Sequence, residues 1–265
     1  MEVPEDNGSV PTAGRKIAVT GKGGSGKTML TALMTGLLAR EGGRRILAID
    51  ADSAVNLPYA LGMDVGRTVA QIRRYIIEDP DARAEIEDRS IREVVEEALV
   101  PGDGFSLLVM GRPEGPGCYC AINDLLKYGI ERLSQQFDVT LIDCEAGPEQ
   151  VNRRVVNGVD ALIIVTDASV RGARVAGSIM EVVSGSAELK PPQTGIVINR
   201  FRGDDRLILD SVSGWGVEVL GRIPEDANVA EYDAAGRPII GLPDDSPSVV
   251  AVAEILKRIT ALASI

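Results

Sequence analysis

Between residues 16 and 40 the chain changes abruptly from one kind of order to another. Lys16-Ile17-Ala18-Val19-Thr20 is a short β-type run. From Thr28 to about Arg40, Leu30, Leu33, Met34, Leu37 and Leu38 recur at helical spacings of three and four. Between them lies Gly21-Lys22-Gly23-Gly24-Ser25-Gly26-Lys27-Thr28, which contains G-x-x-x-x-G-K-T in the strand-to-helix setting that motif requires. Glycines let the backbone curl until several N–H groups converge, and the helix start adds positive dipole character. Such a loop cradles phosphate. The residues expected at a nucleotide are Gly23, Gly24, Ser25, Gly26, Lys27, Thr28 and Met29. Lys27 is expected to reach the β- and γ-phosphates and the Thr28 hydroxyl to bind Mg²⁺.

The same alternation continues. Ile46–Asp50, Phe105–Met110, Val139–Asp143, Ala161–Thr166, Gly195–Asn199 and Val217–Leu220 each read as an apolar strand, separated by helical or loop segments. Strands buried on both faces and alternating with helices predict an α/β fold, a doubly wound, mostly parallel sheet of about seven strands. Residues 1–14 read as a flexible N-terminal arm and 15–265 as a single domain. A charged helical insertion is expected near 66–100, and a helix over Ser248–Ala263 closes the domain.

Composition excludes several chemistries. The 265 residues contain no histidine, so no Ser-His-Asp triad, Cys-His dyad or His-ligated zinc enzyme is possible. A formal net charge of −11 argues against nucleic acid as a partner. Three cysteines do not make a disulfide framework. No signal peptide or membrane-length apolar run is visible, and the closing helix offers only Lys257 and Arg258 to a lipid surface. A cytoplasmic protein without a membrane partner is expected.

Lys22 makes the loop K-G-G-x-G-K-T, which resembles the deviant Walker A of MinD, ParA, the nitrogenase iron protein and the arsenite-pump ATPase. The resemblance implies a nucleotide-dependent homodimer in which Lys22 reaches the partner's nucleotide. Asp50-Ala51-Asp52 resembles that group's switch I, with Asp52 directing the attacking water and Asp50 supporting the Mg²⁺ shell. Leu141–Gly147 resembles its Walker B strand and switch II, with Asp143 on Mg²⁺ and Gly147 sensing the γ-phosphate. Lys22, Lys27 and Asp52 are thus the implied catalytic set. Asn199 and Arg200, with Pro224, Glu225 and Asp226, resemble its base-contact segments. Arg200 stands where the N-K-x-D guanine signature has lysine, which favours ATP over GTP.

Cys118-Tyr119-Cys120 follows Gly115-Pro116-Gly117 in a metal loop near 115–121. Two thiolates half-coordinate a tetrahedral ion, whereas two chains about a twofold axis supply four, a set for Zn²⁺, Ni²⁺ or a [4Fe–4S] cluster at the dimer interface. With a D-x-E-A-G switch II, this looks like the nickel-insertion ATPases of carbon-monoxide dehydrogenase and acetyl-CoA synthase. The resemblance implies ATP hydrolysis to ADP, a metal site of Cys118 and Cys120 from both subunits, and a client nickel–iron enzyme. Two alternatives stand beside it: a nitrogenase-iron-protein-like reductase, whose cysteines lie farther apart, and a MinD/ParA-type positional regulator. Cys144 departs from the expected pattern and reads as a buried structural cysteine.

Overall fold

The computed structural model describes residues 14–78, 91–112, 131–147, 158–185, 191–204 and 206–261. Eight strands form one sheet in the order β3-β4-β2-β5-β1-β6-β7-β8. They are β1 (Arg15–Gly21), β2 (Ile46–Ala51), β3 (Leu99–Pro101), β4 (Ser106–Val109), β5 (Val139–Cys144), β6 (Ala161–Asp167), β7 (Gln193–Phe201) and β8 (Glu218–Pro224). All neighbours pair parallel except β3, which runs antiparallel to β4. The helices are α1 (Lys27–Glu41), α2 (Leu57–Leu61), α3 (Val69–Glu78), α4 (Ile91–Glu96), α5 (Val170–Gly185), α6 (Arg206–Ser213), α7 (Ala227–Ala234) and α8 (Pro247–Ala261).

Every residue of β2 and β5 is buried, as strands covered on both faces require. Alternate side chains divide the core in two. Ala18, Leu47, Ile49, Ile142, Leu162 and Ile164 face one way, with Ala176, Ile179 and Val183 of α5 above them. Ile17, Val19, Ala48, Leu141, Ile163 and Val165 face the other way, against Leu30, Leu33, Met34 and Leu38 of α1 and Val252, Ile255 and Ile259 of α8. Burying such a side chain contributes roughly 1.5–3 kcal/mol, so the double cover is the main attraction holding the sheet.

Two strands and one residue differ from the expectation. The sheet has eight strands rather than about seven, because the short edge strand β3 occupies residues assigned to the end of a helical insertion. Within that insertion α3 and α4 are helical. β8 continues to Pro224, through Gly221 and Arg222, where a loop was expected. Gly14, counted with the arm, is buried, and a Cβ on it would lie 1.7 Å from the Phe137 carbonyl oxygen. Residues 1–13 and the Cys118/Cys120 loop lie outside the described residues. Among the described residues no helix is long and apolar enough to cross a membrane.

Candidate nucleotide site

Parallel strands end on one side of a sheet, and ligands of open α/β folds bind outside those carboxyl ends. Here the ends of β1, β2, β5, β6 and β7 bring together residues as far as 176 positions apart in sequence. The loop after β1 turns at Gly21, Gly24 and Gly26, with φ of 146°, 70° and 96°. A Cβ at Gly21 would sit 2.0 Å from the Val165 carbonyl oxygen, so the loop leaves the sheet by a path open only to glycine. Gly26 caps α1 with no side-chain hydrogen bond. The first-turn N–H groups of α1 therefore receive no side-chain cap and face the loop, as an anion site requires.

Lys27 is buried, and its Nζ points back to the Lys22 carbonyl at 3.4 Å. The Thr28 hydroxyl donates to Asp143 Oδ2 at 2.7 Å. Asp143 Oδ1 is buried and has no hydrogen-bond partner. Burial pushes the Asp143 carboxyl up to about 7, opposed by the Thr28 hydroxyl and reinforced by the nearby Asp50 charge. A desolvated carboxylate with a spare oxygen beside a threonine hydroxyl is a donor set for a hard divalent cation. Thr28 and Asp143 fit Mg²⁺, which when bound would neutralise phosphate charge.

Asp50 pairs in register with Asp143, but its oxygens are differently engaged. Oδ1 accepts the Asp52 N–H at 3.0 Å and Oδ2 the Leu57 N–H at 2.9 Å, so Asp50 organises the turn leading into α2. Burial still lifts its carboxyl to about 6. Asp52 Oδ1 in turn accepts the Ala54 N–H at 2.9 Å. Just after Ala54, Val55 holds φ at 53°, an outlier for a β-branched residue. Ser53 Oγ meets Glu145 Oε1 at 3.4 Å, joining the two expected switch segments. Gly147 donates its N–H to the Gly21 carbonyl at 3.1 Å and thus lies against the loop.

A cleft of about 720 Å³ opens beside the loop, within the range of small-molecule sites. Gly26, Thr28, Met29, Asn199 and Arg200 line one part of it and Pro224, Glu225 and Asp226 another. Asp226 is buried, caps α7 through the Asn228 N–H, and accepts from the Ser246 hydroxyl and the Ser248 N–H. A larger hollow, about 910 Å³, lies at the amino-terminal ends of the strands by Arg15, Asp160 and Trp215, away from the phosphate loop.

The family description CobQ/CobB/MinD/ParA nucleotide binding domain matches residues 16–239. The chain belongs to this family. It is 36% identical over 248 residues to an uncharacterised ATP-binding protein of Methanocaldococcus jannaschii, covering 92% of this chain and 97% of that one. It is 30% identical over 236 residues to the carbon monoxide dehydrogenase accessory protein CooC of Rhodospirillum rubrum, covering 83% and 88%. Among solved structures, the cell-division ATPase MinD of Pyrococcus furiosus superposes with a TM-score of 0.69 at 27% identity, over 94% of this chain and 99% of that one.

As a MinD/ParA-family ATP-binding protein, the chain places most of the residues assigned from sequence around one loop. Lys22 is the exception in direction. Its Nζ is bound within the same chain to Asp167 Oδ2 at 2.7 Å, with about a quarter of each side chain exposed. Asp167 also accepts from the Ser169 hydroxyl. The sequence reading did not assign Asp167, although it ends an apolar strand just as Asp50 and Asp143 do. Asn56, Tyr59 and Arg237 line the cleft and were also missed, because no motif marks them. Cys144 is buried within the core, and burial pushes its thiol up, which leaves it unsuited to bind metal as a thiolate.

Proposed function

We propose that this chain is an ATP-hydrolysing metallochaperone that works as a nucleotide-dependent homodimer and carries nickel to a carbon-monoxide dehydrogenase or acetyl-CoA synthase. The observation that carries the nucleotide half is the Thr28–Asp143 pair with the unpartnered Asp143 Oδ1, a place for Mg²⁺ beside a phosphate loop. In this reading Lys27 swings from the Lys22 carbonyl onto the phosphates. Lys22 leaves Asp167 for the partner's nucleotide. Asp52 gives up its local turn to orient water, and Gly147 follows the γ-phosphate. Electrostatic groups of this kind each contribute ~10²–10³ in rate.

The cargo half rests on two supports. Cys118 and Cys120 stand in the sequence between the two switch segments, and the chain is 30% identical to an accessory protein of carbon monoxide dehydrogenase. One chain offers two thiolates and a closed soft-metal site needs four, so the cargo, nickel or zinc as a stand-in, would sit between subunits. A [4Fe–4S] cluster would fill the same four positions. Likeness to an archaeal MinD over nearly the whole chain favours a second reading, a positional regulator with no cysteine-bound metal between subunits.

Metal analysis and sedimentation of anaerobically purified protein, with and without a non-hydrolysable ATP analogue, separate these readings. About one Ni²⁺ or Zn²⁺ per dimer is expected, lost together with metal-driven dimerisation in Cys118→Ala and in Cys120→Ala. A tightly bound ion in a dilute monomer, or a dimer indifferent to both substitutions, would refute the shared site.

A further inference from the structure

Tyr59 is 68% exposed, more than any other large apolar side chain among the described residues, and it lines the cleft beside the phosphate loop. The helix that carries it is held from several sides. Leu57 and Leu61 of α2 are buried in the core. The Leu57 N–H is bound by Asp50 Oδ2 at 2.9 Å. Gly62 ends the helix, and a Cβ there would lie 2.8 Å from Pro238 Cγ. A well-anchored backbone therefore carries a ring left out of the core.

Other rings at the surface are taken up by cations. Arg67 lies over Tyr75 at 5.0 Å from the ring centroid, Arg237 over Tyr232 at 3.8 Å and Arg222 over Phe201 at 5.8 Å. Among the described residues the Tyr59 ring has no such neighbour and its hydroxyl no hydrogen bond, so its π face is free. A single exposed tyrosine on an open surface needs no explanation, but this one stands in a concave site. The cleft is continuous with the phosphate loop, since Gly26 and Thr28 line it as well. Another part of its wall is tied to that loop: Asn199 Nδ2 donates to the Ser25 carbonyl at 2.7 Å, and the Arg200 guanidinium donates to the Gly24 carbonyl. A nucleotide with its phosphates on the loop extends its base into a cleft that holds the Tyr59 ring.

We propose that Tyr59 is a base-binding residue whose ring stacks on the base of the bound nucleotide. The inference rests on the nucleotide-binding reading of the loop and deepens it. Every base has a π face, so a stack adds affinity without choosing among bases. The choice is left to the hydrogen-bonding groups at the ends of β7 and β8. Because α2 is already held in place, little ordering is needed for the ring to meet its ligand.

The test is calorimetric binding, in Mg²⁺, of ATP and of inorganic tripolyphosphate, which has no base, to the full chain and to Tyr59→Ala and Tyr59→Phe. The side chain is exposed and outside the core, so neither substitution disturbs the fold. Tyr59→Ala should weaken ATP about tenfold, the scale of a lost base–aromatic stack, and leave tripolyphosphate unchanged. Tyr59→Phe keeps the ring and should bind ATP as the wild type does. An equal loss of both ligands in Tyr59→Ala would make α2 a support of the phosphate loop and overturn the proposal, as would two unchanged affinities. ATP binding as weak in Tyr59→Phe as in Tyr59→Ala would assign the effect to the hydroxyl and also overturn the stack. Wild-type protein that binds neither ligand would instead overturn the nucleotide reading beneath it.

Discussion

The Asp143 carboxylate gives one oxygen to the Thr28 hydroxyl and keeps the other without a partner in the protein interior. Its folded value of about 7 lies above the 3.8 of a free aspartate, so between those limits the folded chain binds more protons than the unfolded one. Stability of the ligand-free protein must then fall as pH rises from about 4 to about 7. Asp50, lifted to about 6, adds a smaller contribution of the same sign. Asp143→Asn removes the buried charge. Thermal unfolding should show a higher ligand-free Tm at pH 8 and a shallower pH slope, with part of the slope left to Asp50. Added Mg²⁺-ATP should raise the Tm of the wild type but not of the variant. An unchanged pH slope in Asp143→Asn would show that the carboxylate is not desolvated as described.

At the scale of elements, the site depends on how α7 and α8 are pinned to the end of β8. Beside the apolar packing of α8 on β8, Asp226 supplies the polar tie, accepting from Asn228, Ser246 and Ser248. Asp226→Ala removes a helix cap and leaves a buried serine hydroxyl unpaired, at a combined cost of about 2–4 kcal/mol. Urea unfolding should show a lower midpoint with an unaltered m-value. ATP affinity should fall as well, since Asp226 and Pro224 wall the cleft. These elements also mark how far the sequence was legible. β1, its loop and α1 could be read because glycines, lysine and helical spacing all lie within a few residues of one another. β3 could not: Leu99-Val100-Pro101 extends only because β4 pairs with it, a tertiary effect without a local signal. β8 runs through Gly221 to Pro224, residues that locally favour a turn, because β7 offers it a ladder. At the site, the residue types and the loop were legible, whereas the partners of Lys22, Asn199 and Arg200 lie 145, 174 and 176 positions away.

For the whole molecule, the proposed homodimer requires Lys22 to leave its intrachain partner Asp167. With about a quarter of each side chain exposed, the pair is worth ~0.2–1 kcal/mol, little enough for a partner's phosphates to displace. Asp167→Asn keeps the shape while removing the charge, so the analogue concentration giving half-maximal dimer should fall about two- to fivefold in sedimentation runs. Lys22→Ala should abolish that dimer while leaving nucleotide affinity of the monomer intact. A variant pair indistinguishable from wild type would remove Lys22 from the interface. The sheet order has a further consequence, for the order in which the chain can acquire its structure. β1 is made first, yet its neighbours are β5 and β6, with Ile17 beside Leu141 on one side and Ala161 on the other. During synthesis the N-terminal strand must wait, without its final neighbours, until residue 167 has emerged. Closing contacts of such long sequence separation slows folding. ATP, whose loop hangs from the tip of β1, can therefore act only as a late ligand: it stabilises a nearly finished chain and gives no help to a nascent one.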